Sequence, residues 1–119
     1  MPTTDPQTGY APANGLNLYY EIHGQGPPLL LLHGAYMTID MMGPLLHGLA
    51  ETRQVIAVEQ QGHGRTSDID RPITYEQMAE DTAALMRHLG IDEADATTSL
   101  RTRPGWLTAS CRAVAPPML

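Results

Sequence analysis

The sequence contains no lysine, a single cysteine and no long uninterrupted apolar run. Each scarcity removes a class of protein. Seven arginines face thirteen acidic residues, and the net charge of -6 makes nucleic acid an unsuitable partner. The lone Cys111 cannot build an internal disulfide framework and suits a reducing compartment. No stretch approaches the roughly 18 apolar residues that a membrane span needs. Met1–Tyr10 is polar with two prolines and lacks the charged-then-apolar order of a signal peptide. A cytoplasmic protein without a membrane partner is the expectation. The missing lysine is a compositional bias, with all fixed positive charge carried by arginine. The length of 119 residues suits one small domain, and 42% hydrophobic residues is ordinary for a globular chain.

What is present is a series of short, well-marked elements. Asn14-Gly15 is a hairpin-turn pair, because both residues tolerate positive φ. Tyr10–Ala13 before it reads as a short edge strand, with Pro12 acceptable at an edge. Leu16, Leu18, Tyr20 and Ile22 after it alternate, as in a strand with one buried face. Leu29–Leu32 is apolar throughout and too short for a helix, which suits a strand buried on both faces of a parallel sheet. Thr38–Thr52 reads as a helix whose real start lies near Gly43-Pro44, with Leu45, Leu46, Leu49 and Ala50 on its apolar face. Val55–Val58 is a second buried strand, rich in β-branched residues.

Thr74 and Gln77 have the spacing of a capping box. The helix they open, Tyr75–Leu89, shows an apolar face at Met78, Ala79, Thr82, Leu85, Met86 and Leu89, and Gly90 stops it. The order strand, strand, helix, strand, helix predicts an α/β sheet with right-handed crossovers. The expected organisation is a disordered start over residues 1–7, a sheet-and-helix portion over 8–96, and an atypical tail over 97–119. All thirteen acidic residues lie between Asp5 and Asp95, and the tail shows neither periodicity. A shifted reading frame in GC-rich DNA would account for such a break.

Two motifs carry chemistry. In the first, the strand Leu29–Leu32 ends in His33-Gly34-Ala35-Tyr36. In the second, Val55–Val58 runs into Glu59-Gln60-Gln61-Gly62-His63-Gly64-Arg65-Thr66, a glycine-rich turn. Taken in this order, with a helix between them and the helix ending at Leu89-Gly90 after them, these segments resemble the α/β-hydrolase superfamily over about residues 8–96. The resemblance implies a three-layer αβα fold and ester-type or related hydrolysis of a small molecule, with no cofactor. It implies that the amide of Ala35, freed by Gly34, belongs to an oxyanion hole, and that His33 and Tyr36 line the pocket. It assigns Glu59, Gly62, His63 and Gly64 to a structural turn, with Glu59 where aspartate is usual. Arg65 is expected to tie this turn to a nearby carboxylate. Glu59, Asp68 and Asp70 otherwise read as solvated turn charges.

The family's nucleophile sits in Gly-x-Ser-x-Gly after the next buried strand. None of Ser67, Ser99 and Ser110 has glycines two residues to either side, and Cys111 lacks an elbow as well. The acid and the histidine that follow the elbow in the family have no counterpart, so no catalytic residue is assigned. The five histidines show no metal-ligand spacing, and no metal is expected. The sequence therefore reads as a truncated hydrolase sheet, inactive in this form. The alternative is a non-catalytic remnant or interaction module. Without the elbow strand, Leu29–Leu32 would be an exposed apolar edge, open to self-association. Ala94–Leu100 is the segment nearest to hand as a replacement strand, though its pattern gives it little backing.

Overall fold

A computed structural model of the protein describes residues 6–33, 37–101 and 106–114, and side chains within these except those of Tyr75 and of residues from 98 onward. Gly34, Ala35 and Tyr36, and the ends of the chain, lie outside the described residues.

Strand β1 (Gln7–Ala13) turns at Asn14-Gly15 into β2 (Leu16–His23). Both turn residues have positive φ, 54° and 92°, so the backbone twist of a two-residue hairpin loop is met by residues that tolerate it. The pairing is in register from Ala13↔Leu16 to Gln7↔Ile22. β3 (Pro28–Leu32) and β4 (Gln54–Val58) then form the parallel centre, paired from Pro28↔Gln54 to Leu32↔Val58. Between them a short 3-10 turn, Asp40–Met42, leads into α1 (Gly43–Leu49), with Pro44 in its first turn as its missing N–H permits. After β4 comes α2 (Tyr75–Leu89). The Thr74 hydroxyl accepts the Gln77 amide at 3.0 Å. The Gln77 side chain does not complete the capping box but donates to Asp81 at 3.2 Å. Gly90 ends the helix in the left-handed conformation, φ 72°.

Two further strands, β5 (Glu93–Arg101) and β6 (Trp106–Val114), form an antiparallel hairpin. β5 lies parallel to β3, from Leu29↔Asp95 to Leu32↔Thr98. The sheet order is β1-β2-β4-β3-β5-β6. This overturns the expected exposed edge at Leu29–Leu32: β3 is hydrogen-bonded on both sides. It also gives a strand to a tail that has no apolar run. The reason is local. Ala94 and Ala96 are small enough to bury against the sheet, at 3% and 7% exposure. At the same end Arg53 donates to the carbonyls of Pro27 and Pro28 at 3.0 and 3.1 Å and to Asp95 at 2.9 Å, which pins β5 beside β3.

The two helices cover opposite faces, so the architecture is three-layered. Leu18, Tyr20, Leu30, Ile56 and Val58 pack with Leu85 and Met86 of α2 on one side. Tyr19, Leu29, Leu31, Val55 and Ala57 pack with Met42 and Leu46 on the other. Successive residues of β3 and β4 thus serve different cores, which is why their sequences are apolar without alternation. The expected one-faced burial of β2 is corrected as well, since Tyr19 and Glu21 are buried on the second face.

On α2 the expected face holds at Leu85 and Met86 but not at Ala79, which is exposed. Asp81 is buried instead. It accepts hydrogen bonds from Arg71, from Asn14 at 3.0 Å and from Gln77, tying α2 to the β1–β2 turn and to the loop after β4. A buried carboxylate is tolerable here because its lone pairs are taken up.

Leu30 lies in the middle of the sheet and is fully buried. Leu30→Ala is expected to lower stability by about 2–5 kcal/mol, the usual range for such a truncation, read as a shift of the denaturant midpoint.

Candidate functional site

The carboxyl ends of β3 and β4 lie side by side, and the residues that leave them build the site. In open parallel sheets this is the end at which ligands bind. Glu59, the first residue after β4, is fully buried. This corrects its reading as a solvated charge. Its backbone N–H donates to the Tyr19 carbonyl at 3.0 Å. Its carboxylate accepts four hydrogen bonds: Ile39 N–H at 3.0 Å, Arg65 N–H at 2.8 Å, and Arg65 Nε and Nη2 at 3.0 Å each. Burial alone would raise the pKa of this carboxyl. The Arg65 guanidinium and the two backbone amides outweigh it and hold Glu59 below the ordinary carboxylate value. The same pairing holds the Arg65 guanidinium more firmly protonated than usual. Arg65 thus makes the tie expected of it.

The turn itself closes in steps. His63 N–H donates to the Gln60 carbonyl, and Thr66 N–H to the His63 carbonyl, both at 3.0 Å. The Thr66 hydroxyl donates to the Glu59 carbonyl at 2.6 Å and accepts the Tyr19 N–H at 2.9 Å. Gly64 has φ 53°, and a Cβ there would stand 2.5 Å from the Glu59 carboxyl group. Only glycine lets the backbone pass this close to the buried carboxylate. Gly62 needs its positive φ of 77° for the preceding bend.

His33 leaves β3 buried, at 6% exposure. Its Nε2 accepts the Gln60 N–H at 2.8 Å, so this nitrogen carries a lone pair and the ring joins the two strand ends. A nitrogen so engaged is not free to take a proton from a nucleophile. The His63 ring lies 4.6 Å from it, centroid to centroid, and its Nδ1 donates to the Gln61 carbonyl at 3.0 Å. Of the residues assigned to the pocket and oxyanion hole, His33 alone can be placed; Gly34, Ala35 and Tyr36 fall outside the described residues. Among the described residues no three His, Cys, Asp or Glu side chains gather as a metal site.

Sequence reasoning missed the line Tyr19, Glu21, His23 on β2. The Tyr19 hydroxyl donates to Glu21 at 2.7 Å, and His23 Nε2 meets the other Glu21 oxygen at 2.8 Å. The Arg65 guanidinium stacks over the Tyr19 ring at 4.2 Å. Burial and the hydrogen bond to Glu21 push the Tyr19 hydroxyl up to about 12. The signal was available: three polar residues two apart on a strand share a face.

Glu59→Gln is expected to cost on the order of 2–3 kcal/mol at neutral pH. That is below the loss for a fully buried pair, because Arg65 keeps contact with water. A lowered carboxyl pKa adds stability above the ordinary value of 4.5, and that stability fades as pH falls through the lower folded value. The stability curves of the two proteins should therefore converge below pH 4.5 in a denaturation series run from pH 7 to pH 2.5.

The sequence profile of the alpha/beta hydrolase fold matches residues 27–96. A soluble epoxide hydrolase of Corynebacterium sp. (strain C12) is 36% identical over 83 residues, 67% of this chain and 28% of that protein. A non-heme haloperoxidase of Rhodococcus erythropolis is 30% identical over 80 residues, 66% of this chain and 29% of its own length. The enol-lactonase from Burkholderia xenovorans LB400 superposes with a TM-score of 0.70 at 30% identity, over 73% of this chain and 35% of that one. The chain spans no more than about a third of the length of these proteins. The profile takes in more than half of the residues and runs through β3, α1, β4, α2 and the start of β5. By that match the chain belongs to the alpha/beta hydrolase fold family.

Proposed function

We propose that this chain supplies the amino-terminal share of a hydrolase site and does not hydrolyse a substrate by itself. In this reading the Ala35 amide, beside Gly34, faces the developing oxyanion of a small-molecule ester or related substrate. His33 and Tyr36 form the pocket wall, and Glu59, Gly62, His63, Gly64 and Arg65 hold the turn beneath them. Water is the co-substrate and no cofactor is required.

The observation that carries the proposal is the exit of β5. This strand runs beside β3, where the family's elbow strand belongs. An elbow would leave it through a sharp turn into a helix, with serine at the bend. Here the strand runs on to Arg101 and returns as β6. No Gly-x-Ser-x-Gly occurs in the sequence. Without a presented nucleophile, stabilising the oxyanion accelerates nothing. The purified chain treated with a fluorophosphonate probe should show no specific labelling by intact mass. Stoichiometric labelling at one hydroxyl would refute the proposal.

A second reading, an interaction module that pairs through a sheet edge, now rests on β6 and not on β3. β6 is the outermost strand beside β5, and an unpaired ladder edge invites a partner strand. Light scattering on a sizing column should then give a dimer or larger species that dissociates on dilution. A monomer at all concentrations would dispose of this reading.

A further inference from the structure

Gln60 sits between the two strand ends with its backbone fully engaged. Its N–H donates to His33 Nε2 at 2.8 Å, and its carbonyl accepts the His63 N–H at 3.0 Å. Its side chain is buried, at 2% exposure, yet the Oε1 atom has no hydrogen-bond partner. Among the described residues no other buried side-chain oxygen or nitrogen is in this state. Every other buried polar group nearby is spent: Glu59 on Arg65 and Ile39, Gln61 on Asp68 and Arg71, Thr66 on Glu59 and Tyr19. An unpaired acceptor out of water is unfavourable, and folded proteins keep few of them.

We propose that Gln60 is a specificity residue whose carboxamide oxygen accepts a hydrogen bond from an N–H of the ligand, so that the site favours amide-type groups over plain esters. The inference rests on the reading of a substrate site at the carboxyl ends of β3 and β4. The position fits: the residue lies where those ends meet, two residues before Gly62, the first exposed residue of the turn. The terminal torsion of a glutamine is broad, so the oxygen can turn toward a ligand without moving the locked backbone. Discrimination follows from the same physics. A ligand that brings an N–H satisfies the acceptor, whereas an ester or a fully alkylated amide leaves it unpaired.

The test is a titration of the isotope-labelled full chain, followed by NMR at the Gln60 side chain and the His33 ring. The probes are N-methylacetamide, N,N-dimethylacetamide and methyl acetate. N-methylacetamide is expected to bind at least five-fold more tightly than the other two, and Gln60→Met is expected to erase the difference. Equal binding of the three probes by the native chain, or no binding up to molar concentration, would overturn the inference. So would a preference that survives in Gln60→Met. The native chain alone decides the first two outcomes should that variant not fold. None of these results depends on fluorophosphonate labelling, so the absence of a nucleophile and the role of Gln60 stand or fall separately.

Discussion

The structure depends on one carboxylate kept out of water. Glu59 follows β4 with no solvent contact, and its four donors come from two places in the chain, the start of the 3-10 turn and the arginine six residues further on. A lone carboxylate so placed would be prohibitively unfavourable; a fully coordinated one orders everything that coordinates it. Ile39 is fixed, and with it the return of the chain after β3. Arg65 is fixed, and its guanidinium then sits over the Tyr19 ring. The Gly64 backbone passes close by because nothing larger can. The glycine-rich turn is less a flexible connector than a fitted cover over a buried charge.

Around this point the two strand ends are joined by side chain to backbone and not by ladder bonds. His33 takes the Gln60 amide just beyond the last paired residues, Leu32 and Val58. A histidine here does positional work that its acid–base chemistry does not explain. The same logic separates it from His63, whose nearest ring nitrogen is turned back onto its own turn. Two histidines in ring contact at the strand ends invite a catalytic reading, but His33 Nε2 is taken by the Gln60 amide and His63 Nδ1 by the Gln61 carbonyl.

Much of this was legible in the sequence, and what was not has physical causes. Periodicity located β2, β3, β4, α1 and α2 because burial on one or two faces leaves a pattern of period two or none, and a helix leaves one near 3.6. The caps at Thr74 and Gly90 were readable because their chemistry is local. The burial of Glu59 was not, since its partners at Ile39 and Arg65 are set by the fold. Ala79 was placed on the buried face for the same reason: the burial of Asp81 depends on Asn14 and Arg71, which come from elsewhere in the chain. β5 was the hardest case. Its residues carry no strand pattern, and it is held by a neighbour's open ladder, two alanines and one arginine clasp.

That pairing of β3 with β5 has a consequence for how the chain is made. Leu29 finds its partner at Asp95, roughly 66 residues later. At about 5–20 residues per second of synthesis, one side of the most apolar strand stays bare for several seconds on the ribosome. During that interval β4 and the first hairpin can already assemble, but the half-built sheet offers a sticky flank to whatever passes. That flank is covered only once β5 has been made and Arg53 meets Asp95.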